Sequence, residues 1–391
     1  MQTDGPIDAL FINSGILGQR TFAEFVRRSF AGEVGGVRVT QTLVTEDLTP
    51  PERLLRFALC LPLWPPGAAG MKNLDFHRYR AELNAGLLAR NRLRRLERAG
   101  RRFDVLHFHR QPTAYASLDV MRRIPSIVSI DSTQRCVLQH SRTRLESLSY
   151  TPNINQDGRI FRAARLIVST SDWAMRSVRQ DYPDCTTERV VMPNPVPLPP
   201  QSDEWITDRY ARARYGAVPR VLFVGGDFPR KGGFDLLDVW AKGRFHERAA
   251  LDIMTNWPLD AAALPPGVTL HRNVFTHTEA WQSLWRAADI FALPTRDEAF
   301  GIVFQEAGAA GLPAIGTRLN AVPEIILEHD TGLLVSPGDP ADLARALDEL
   351  IASPDLRRDM GTRGRAFIAA SADPERYGRD LAAAIRHIAG R

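Results

Sequence analysis

Lysine is almost missing from this chain. Only Lys72, Lys231 and Lys242 occur among 50 Lys and Arg residues, so nearly every cation is arginine and each lysine position carries more information. Cysteine is equally sparse. Cys60, Cys136 and Cys185 are too few and too scattered for a disulfide framework or a zinc site. No apolar run approaches the roughly 18 residues of a membrane span. The first residues, Met1-Gln-Thr-Asp-Gly, lack the basic-then-apolar layout of a signal peptide. No Asp-x-Asp pair occurs, so the carboxylates that would seat Mg²⁺ or Mn²⁺ on a diphosphate are missing. After Gly18 there is neither the third glycine nor the later acid of a nicotinamide dinucleotide site. These absences lead us to expect a reduced, cytoplasmic protein with no metal and no other cofactor.

What is present describes an ordinary globular chain. Its 391 residues are 44 % hydrophobic and 24 % charged, and the formal net charge is +5. At roughly 100–200 residues per domain, that length predicts two domains. Short apolar runs bounded by turn residues read as buried strands at 7–13, 37–44, 103–109, 124–131, 165–171, 220–225, 250–255, 267–272, 289–294, 314–317 and 332–336. Helical patterns lie between them, one of them read over 277–288. Alternation of this kind predicts an α/β fold of parallel, doubly wound sheets. The proline-rich run Met192-Pro-Asn-Pro-Val-Pro-Leu-Pro-Pro reads as a stiff linker. We therefore expect an N-terminal domain over 1–193, a linker over 194–204 and a second domain over 205–372.

Two stretches of the first half stand out. Residues 49–70 are apolar and proline-rich, and we take them as core in preference to a surface loop leaning on a membrane or an apolar acceptor. Residues 76–102 read as a helix dense in arginine. A basic amphipathic helix of this kind could touch an anionic membrane or a lipid-linked acceptor. The usual outcome is a solvated helix packed on the sheet.

The most informative stretch is Asp297-Glu-Ala-Phe-Gly-Ile-Val-Phe-Gln-Glu306, running on to Pro313. It follows a buried strand and turns into a helix, so Glu298 falls on the loop at the strand's C-terminal edge and Glu306 inside the helix. Open α/β sheets bind ligands at that edge. The unpaired N–H groups of Phe300, Gly301, Ile302 and Val303 suit a phosphate, and Gly301 permits close approach. Glu306 could accept from the hydroxyls of a ribose, and Glu298 from those of a second sugar. On spacing alone, two glutamates eight apart are weak evidence, because solvated helix glutamates are common.

A second loop, Gly225-Gly-Asp-Phe-Pro-Arg230-Lys231-Gly-Gly, joins another strand to a helix. It sets two cations beside glycines, an arrangement suited to neutralising a diphosphate. Gly15-x-x-Gly18 after the first strand is a weaker phosphate-loop signal, and a plain turn explains it equally well.

The run Glu298-Ala-Phe-Gly-Ile-Val-Phe-Gln-Glu306, with Val322-Pro-Glu324 and Thr331-Gly-Leu-Leu334, resembles the C-terminal half of the retaining GT-B glycosyltransferases of family 4, whose hallmark is a Glu-x7-Glu motif. The resemblance is specific from about Val221 to Asp342. It implies two Rossmann-like domains facing a central cleft, with a final helix over 373–391 crossing back to the first. It implies a nucleotide-sugar donor, retention of configuration and a glycan, lipid-linked or small-molecule acceptor. Residue by residue, Arg230 and Lys231 would hold the diphosphate, and Glu298 the sugar. Glu306 would hold the ribose. The turns at Gly18 and Gly225 would face the donor. The run Asp104-x-x-His107-x-His109 matches a family pattern whose second histidine lies against the donor sugar, which marks His109. The chain departs from the family in having Gly226 where many relatives have arginine, and Asn194-Pro195 where they have Asn-Gly. Within enzymes, a nucleotide-sugar epimerase or a phosphorylase is the alternative. Outside them, it is a nucleotide or nucleic-acid binding protein. The dispersed charge, with no interleaved aromatic and basic motif, argues against nucleic acid. The expected location is cytoplasmic, extending to the inner face of a membrane if the arginine-rich helix touches it.

Overall fold

A computed structural model describes residues 5–15, 18–63, 76–139, 144–197, 199, 202–276 and 278–390. The chain divides into two compact units, Met1–Pro195 with Pro374–Arg391, and Val196–Asp373.

The first unit is built on six parallel strands: β1 (Ile7–Asn13), β2 (Val37–Leu43), β3 (Val105–His109), β4 (Ser126–Ile130), β5 (Leu166–Ser169) and β6 (Glu188–Val191), in the order β2-β1-β3-β4-β5-β6. Side chains of β1 alternate between two cores, as the two-residue period of a strand requires. Leu10 and Ile12 join Phe108, Val128, Leu88 and Leu93 on one face. Ala9 and Phe11 join Phe22, Phe25 and Val26 of helix α1 (Gly18–Ser29) on the other. Tyr377, Leu381 and Ile385 of the helix Pro374–Ala389 lie in that second core, so the chain's last helix belongs to the first unit.

The second unit repeats the plan with β7 (Arg220–Val224), β8 (Ala250–Met254), β9 (Val268–His271), β10 (Ile290–Leu293), β11 (Ala314–Thr317) and β12 (Gly332–Val335), in the order β12-β11-β10-β7-β8-β9. Phe223, Phe291, Trp240, Trp285 and Phe304 are fully buried around it.

In each unit the chain leaves its first strand in one direction and later returns to that strand's other side. The reversal lies between β1 and β3 in the first unit and between β7 and β10 in the second. Crevices at such points, outside the carboxyl ends of the strands, are where doubly wound sheets hold ligands.

Several segments differ from the sequence expectation. The linker read over 194–204 is shorter than its prolines suggest, and its residues 198, 200 and 201 lie outside the described ones. Val196 already donates to Ala372 O at 3.0 Å, and the unforeseen helix Ser202–Arg214 buries Trp205 and Arg209. In the helix read over 277–288, His277 lies outside the described residues, and the helix is Glu279–Ala287. The stretch read as core, 49–70, is helix α2 (Pro50–Cys60) over its first half, with Leu54 and Phe57 turned to solvent. Residues 64–70 lie outside the described ones.

The arginine-rich stretch is helix α3 (His77–Arg98), buried through Leu88, Ala89 and Leu93. Its arginines Arg78, Arg90 and Arg95 pair with Glu82, Asp119 and Glu52, and Arg80 donates to Leu59 O and Leu61 O. Arg94 and Arg98 stay exposed, and contact of this helix with an anionic membrane is not shown. Among the described residues, no helix is long and apolar enough to cross a membrane.

Candidate active site

The second unit's reversal point brings two loops together. The loop after β7 starts at Gly225, whose N–H donates to Met254 O at 3.1 Å, and ends at Gly232. Gly232 has φ +74°, and a Cβ there would sit 1.9 Å from Pro294 O. The two loops thus meet backbone to backbone, and any side chain at Gly232 would part them. Further bonds join the same pair. Arg296 N–H donates to Arg230 O at 2.8 Å, Arg230 Nη1 to Asp297 O at 2.6 Å, and Thr295 Oγ1 to Arg230 O and Asp297 O.

This junction places Lys231 against Glu298, 67 positions apart in sequence, as an ion pair between Nζ and Oε2. The side chains are only 14 % and 12 % exposed. A pair so well withdrawn from water interacts more strongly than a surface one, and loss of either partner strands the other. Arg230 stays 40 % exposed and is steered by Asp227 Oδ2 at 3.1 Å. Asn320 Nδ2 donates to Glu298 O at 2.9 Å and fixes that loop from the β11 side.

Beyond Glu298, Phe300 is buried and Gly301 opens the helix Ile302–Ala309 with φ +92° and ψ +60°. A Cβ on Gly301 would lie 2.7 Å from Phe304 Cδ2 and 3.2 Å from Glu298 Cγ. Gly301 therefore makes the sharp turn that brings the helix start, with Ile302 and Val303, next to the glutamate. Glu306 lies one turn further on and is only partly exposed. Burial alone pushes its carboxyl up to about 7. Arg209 anchors the other end of this helix. It is 3 % exposed and donates to Ala310 O, Gly311 O and Trp285 O.

In the first unit, His109 closes β3 next to the end of β1, at the reversal point. Its imidazole is stacked on Phe22, with ring centroids 3.9 Å apart and planes 4° from parallel. Phe22 is in turn met edge-on by Tyr377 at 6.0 Å. Burial, helped by the Arg110 charge, pushes His109 down to about 3, so it is neutral at any ordinary pH. His107 is fully buried and bonded to Ser129 Oγ at 2.6 Å, a structural role. Arg110, next in the chain, has φ +75°, a costly conformation for arginine. Gly18 begins α1 at the C-terminal edge of β1, and Gly15 takes φ +75°. Ile16 and Leu17 of that turn lie outside the described residues.

The chain was then compared with known proteins. Residues 207–367 match the family described as Glycosyl transferases group 1. That match lies within the second unit. D-inositol 3-phosphate glycosyltransferase of Corynebacterium jeikeium is 45 % identical over 78 residues, which are 20 % of this chain and 19 % of that protein. The match thus spans about a fifth of that curated relative's length. Among solved structures, sucrose-phosphate synthase from Thermosynechococcus elongatus superposes with a TM-score of 0.70 at 16 % identity, covering 98 % of this chain and 99 % of that one. Anabaena HepE in complex with UDP-glucose does so with a TM-score of 0.64 at 14 % identity, covering 97 % of this chain and 100 % of that one. The two six-stranded parallel sheets and these likenesses give the chain a GT-B fold of two Rossmann-like domains.

Within the second unit, Thr295, Asn320 and Arg209 support the site but carry no motif. Phe22 does the same for His109 in the first unit. Among the described residues, no group of three or more His, Cys, Asp or Glu side chains is placed to hold a metal ion.

Proposed function

We propose that this protein transfers a sugar, with retention of configuration and without a divalent ion, from a nucleoside diphosphate sugar to an acceptor hydroxyl. One observation carries the reading. Lys231, Glu298, Arg230 and the Gly301 turn converge at the β7/β10 reversal point, where a diphosphate and the sugar attached to it would need cations and a carboxylate side by side.

On this reading Lys231 and Arg230 take the diphosphate, and the N–H groups at the start of the Ile302 helix take its remaining charge. As the bond from the anomeric carbon to the phosphate oxygen breaks, the charge left on the diphosphate grows, and these donors stabilise it. Glu298 accepts from the sugar's hydroxyls and faces the positive charge developing at the anomeric carbon. The acceptor oxygen bonds to that carbon on the departing face, and its proton passes to a phosphate oxygen. Glu306 binds the ribose. His109, neutral and held flat, positions the sugar by hydrogen bonding. Gly18 and Gly225 keep the expected donor-side role.

The likeness to HepE with UDP-glucose supports a nucleotide-sugar donor. No observation favours the epimerase or the binding-protein alternative. A phosphorylase would need a lysine for pyridoxal phosphate; among the described residues, Lys231 is paired with Glu298 and Lys242 is exposed beside Asp238.

The test is incubation with UDP-, GDP- and ADP-sugars in EDTA, following release of the nucleoside diphosphate and the melting temperature. Release in EDTA with at least one donor is expected. If no nucleotide shifts melting, the donor site is refuted. If release needs added Mg²⁺ or Mn²⁺, metal independence is refuted.

A further inference from the structure

Helix α2 is assembled inside out. Its only fully buried residue is its one acid, Glu52. That carboxylate accepts from Thr49 N–H and Thr49 Oγ1, each at 2.9 Å, and pairs with Arg95 Nη2 of α3 at 2.8 Å. At the far end, Arg80 Nη1 donates to Leu59 O at 3.1 Å and Leu61 O at 3.0 Å, and His77 Nε2 lies 2.9 Å from Cys60 O. Polar bonds therefore fasten the helix to α3, and the stripe that would ordinarily face the core points outward. Leu54 and Phe57 share one helical face and are 69 % and 65 % exposed, and Leu61, the extended residue that caps the helix, is 42 % exposed. Leu63 continues the patch at 64 %, and Phe76, next to His77, is 43 % exposed. Exposed apolar groups concentrated on one face mark an interaction surface.

The charge around the stripe selects the occupant. Arg53 and Arg56 are exposed on the same helix, and Glu52 is the only acid from Pro50 to Leu63. A second copy of the chain would set Arg53 and Arg56 against their own counterparts. An anionic lipid surface accepts the leucines and the phenylalanine into its acyl boundary while its headgroups meet the two arginines. We propose that α2 docks this protein on an anionic lipid bilayer, with Leu54, Phe57 and Leu61 inserted and Arg53 and Arg56 at headgroup level. This is independent of the donor site. It places the membrane contact on the apolar helix, which Arg80 and Arg95 of the arginine-rich helix hold in place.

The experiment is co-sedimentation of the full chain with phosphatidylglycerol–phosphatidylcholine vesicles and with phosphatidylcholine vesicles alone. Binding to the mixed vesicles is expected. Leu54→Ser with Phe57→Ser should lower it by at least about tenfold, because two large side chains lose their burial. Arg53→Ser with Arg56→Ser should lower it by about fivefold per arginine, and only on the anionic vesicles. Melting shifts with nucleotide should be unchanged in both variants, which separates this surface from the donor site and shows that the variants fold. Failure to bind mixed vesicles, binding that ignores Leu54→Ser with Phe57→Ser, or a dimer that those substitutions dissolve would each overturn the proposal.

Discussion

Glu306→Gln should make the protein more stable and a poorer nucleotide binder, and the two effects should separate with pH. Burial lifts the Glu306 carboxyl from its ordinary value to about 7 in the folded chain. A carboxyl raised on folding holds its proton more tightly in the native state. Its contribution is fully present below the unfolded value near 4.5 and is lost as pH rises through 7. A rise of that size corresponds to about 3 kcal/mol against the ionised form above pH 7. Glutamine carries no charge, although its amide also prefers a partner, so we expect stabilisation of roughly 1–2 kcal/mol at pH 8.5 and little change at pH 5. Binding should move the other way. Hydroxyls donating to a carboxylate make charge-assisted bonds of about 1.5–3 kcal/mol, so losing them should weaken a nucleoside diphosphate by about ten- to a hundredfold at pH 8.5. Wild-type affinity should fall as pH drops below 7, approaching tenfold per unit from Glu306, while the variant keeps only the dependence that the nucleotide's own terminal phosphate brings. Guanidinium unfolding at both pH values and calorimetric titration with the nucleotide that shifts melting provide the readouts. A variant less stable than wild type at pH 8.5, or one that binds nucleotide with the wild-type pH profile, would refute the reasoning.

Four further outcomes follow from the same geometry. Glu298→Gln should release Lys231 from its partner, giving nucleoside diphosphate affinity up to about tenfold tighter while sugar transfer slows. Lys231→Ala should abolish donor use and also destabilise the chain by about 3 kcal/mol, since it strands a buried carboxylate; titration, turnover and unfolding measured on both variants check the pair. Phe22→Leu should keep the fold but loosen the His109 ring, lowering kcat with little change in KM and moving the imidazole's NMR titration up from about 3; an unmoved titration would show that the stack does not govern that environment. Gly301→Ala forces a side chain onto φ +92° and into Phe304, at about 1–3 kcal/mol, and should cost nucleotide affinity; a variant with wild-type melting and binding would remove the turn from the site.

The alternating architecture was legible because strands of a parallel sheet are buried on both faces and read as short continuous apolar runs. Ile7 to Asn13 and Ile290 to Leu293 are of this kind. The helix Ser202–Arg214 was not, because most of its residues are polar and its anchor is a buried arginine, Arg209, which no periodicity marks. Helix α2 shows the opposite failure. Its leucines and phenylalanine recur at helical spacing, but spacing says which residues share a face and not whether that face is covered. The loops holding Lys231 and Glu298 could each be picked out, one by its cations between glycines and the other by its glutamates and its glycine. Their contact could not, since it rests on Gly232 meeting Pro294 O across 62 positions of chain. Thr295 and Asn320 act through backbone carbonyls and leave no pattern. The Phe22–His109 stack joins two distant segments through the order of the strands.

On the proposed reading, the Lys231–Glu298 pair also bears on how a site for an anion keeps two charges away from water. An unpaired lysine and an unpaired glutamate at 14 % and 12 % exposure would each carry a desolvation cost. Paired, they cancel, and the loops that hold them can pack through Gly232 and Gly301. A diphosphate arriving at Lys231 exchanges one anionic partner for another, so the lysine is never stranded. The displaced carboxylate is left beside the sugar joined to that phosphate, where hydroxyl donors replace the ammonium. Each group then changes partner instead of losing one. This gives a physical reason for lysine and glutamate to touch in the resting site, and it is why, on the proposed reading, the sugar and the phosphate are recognised at a single point.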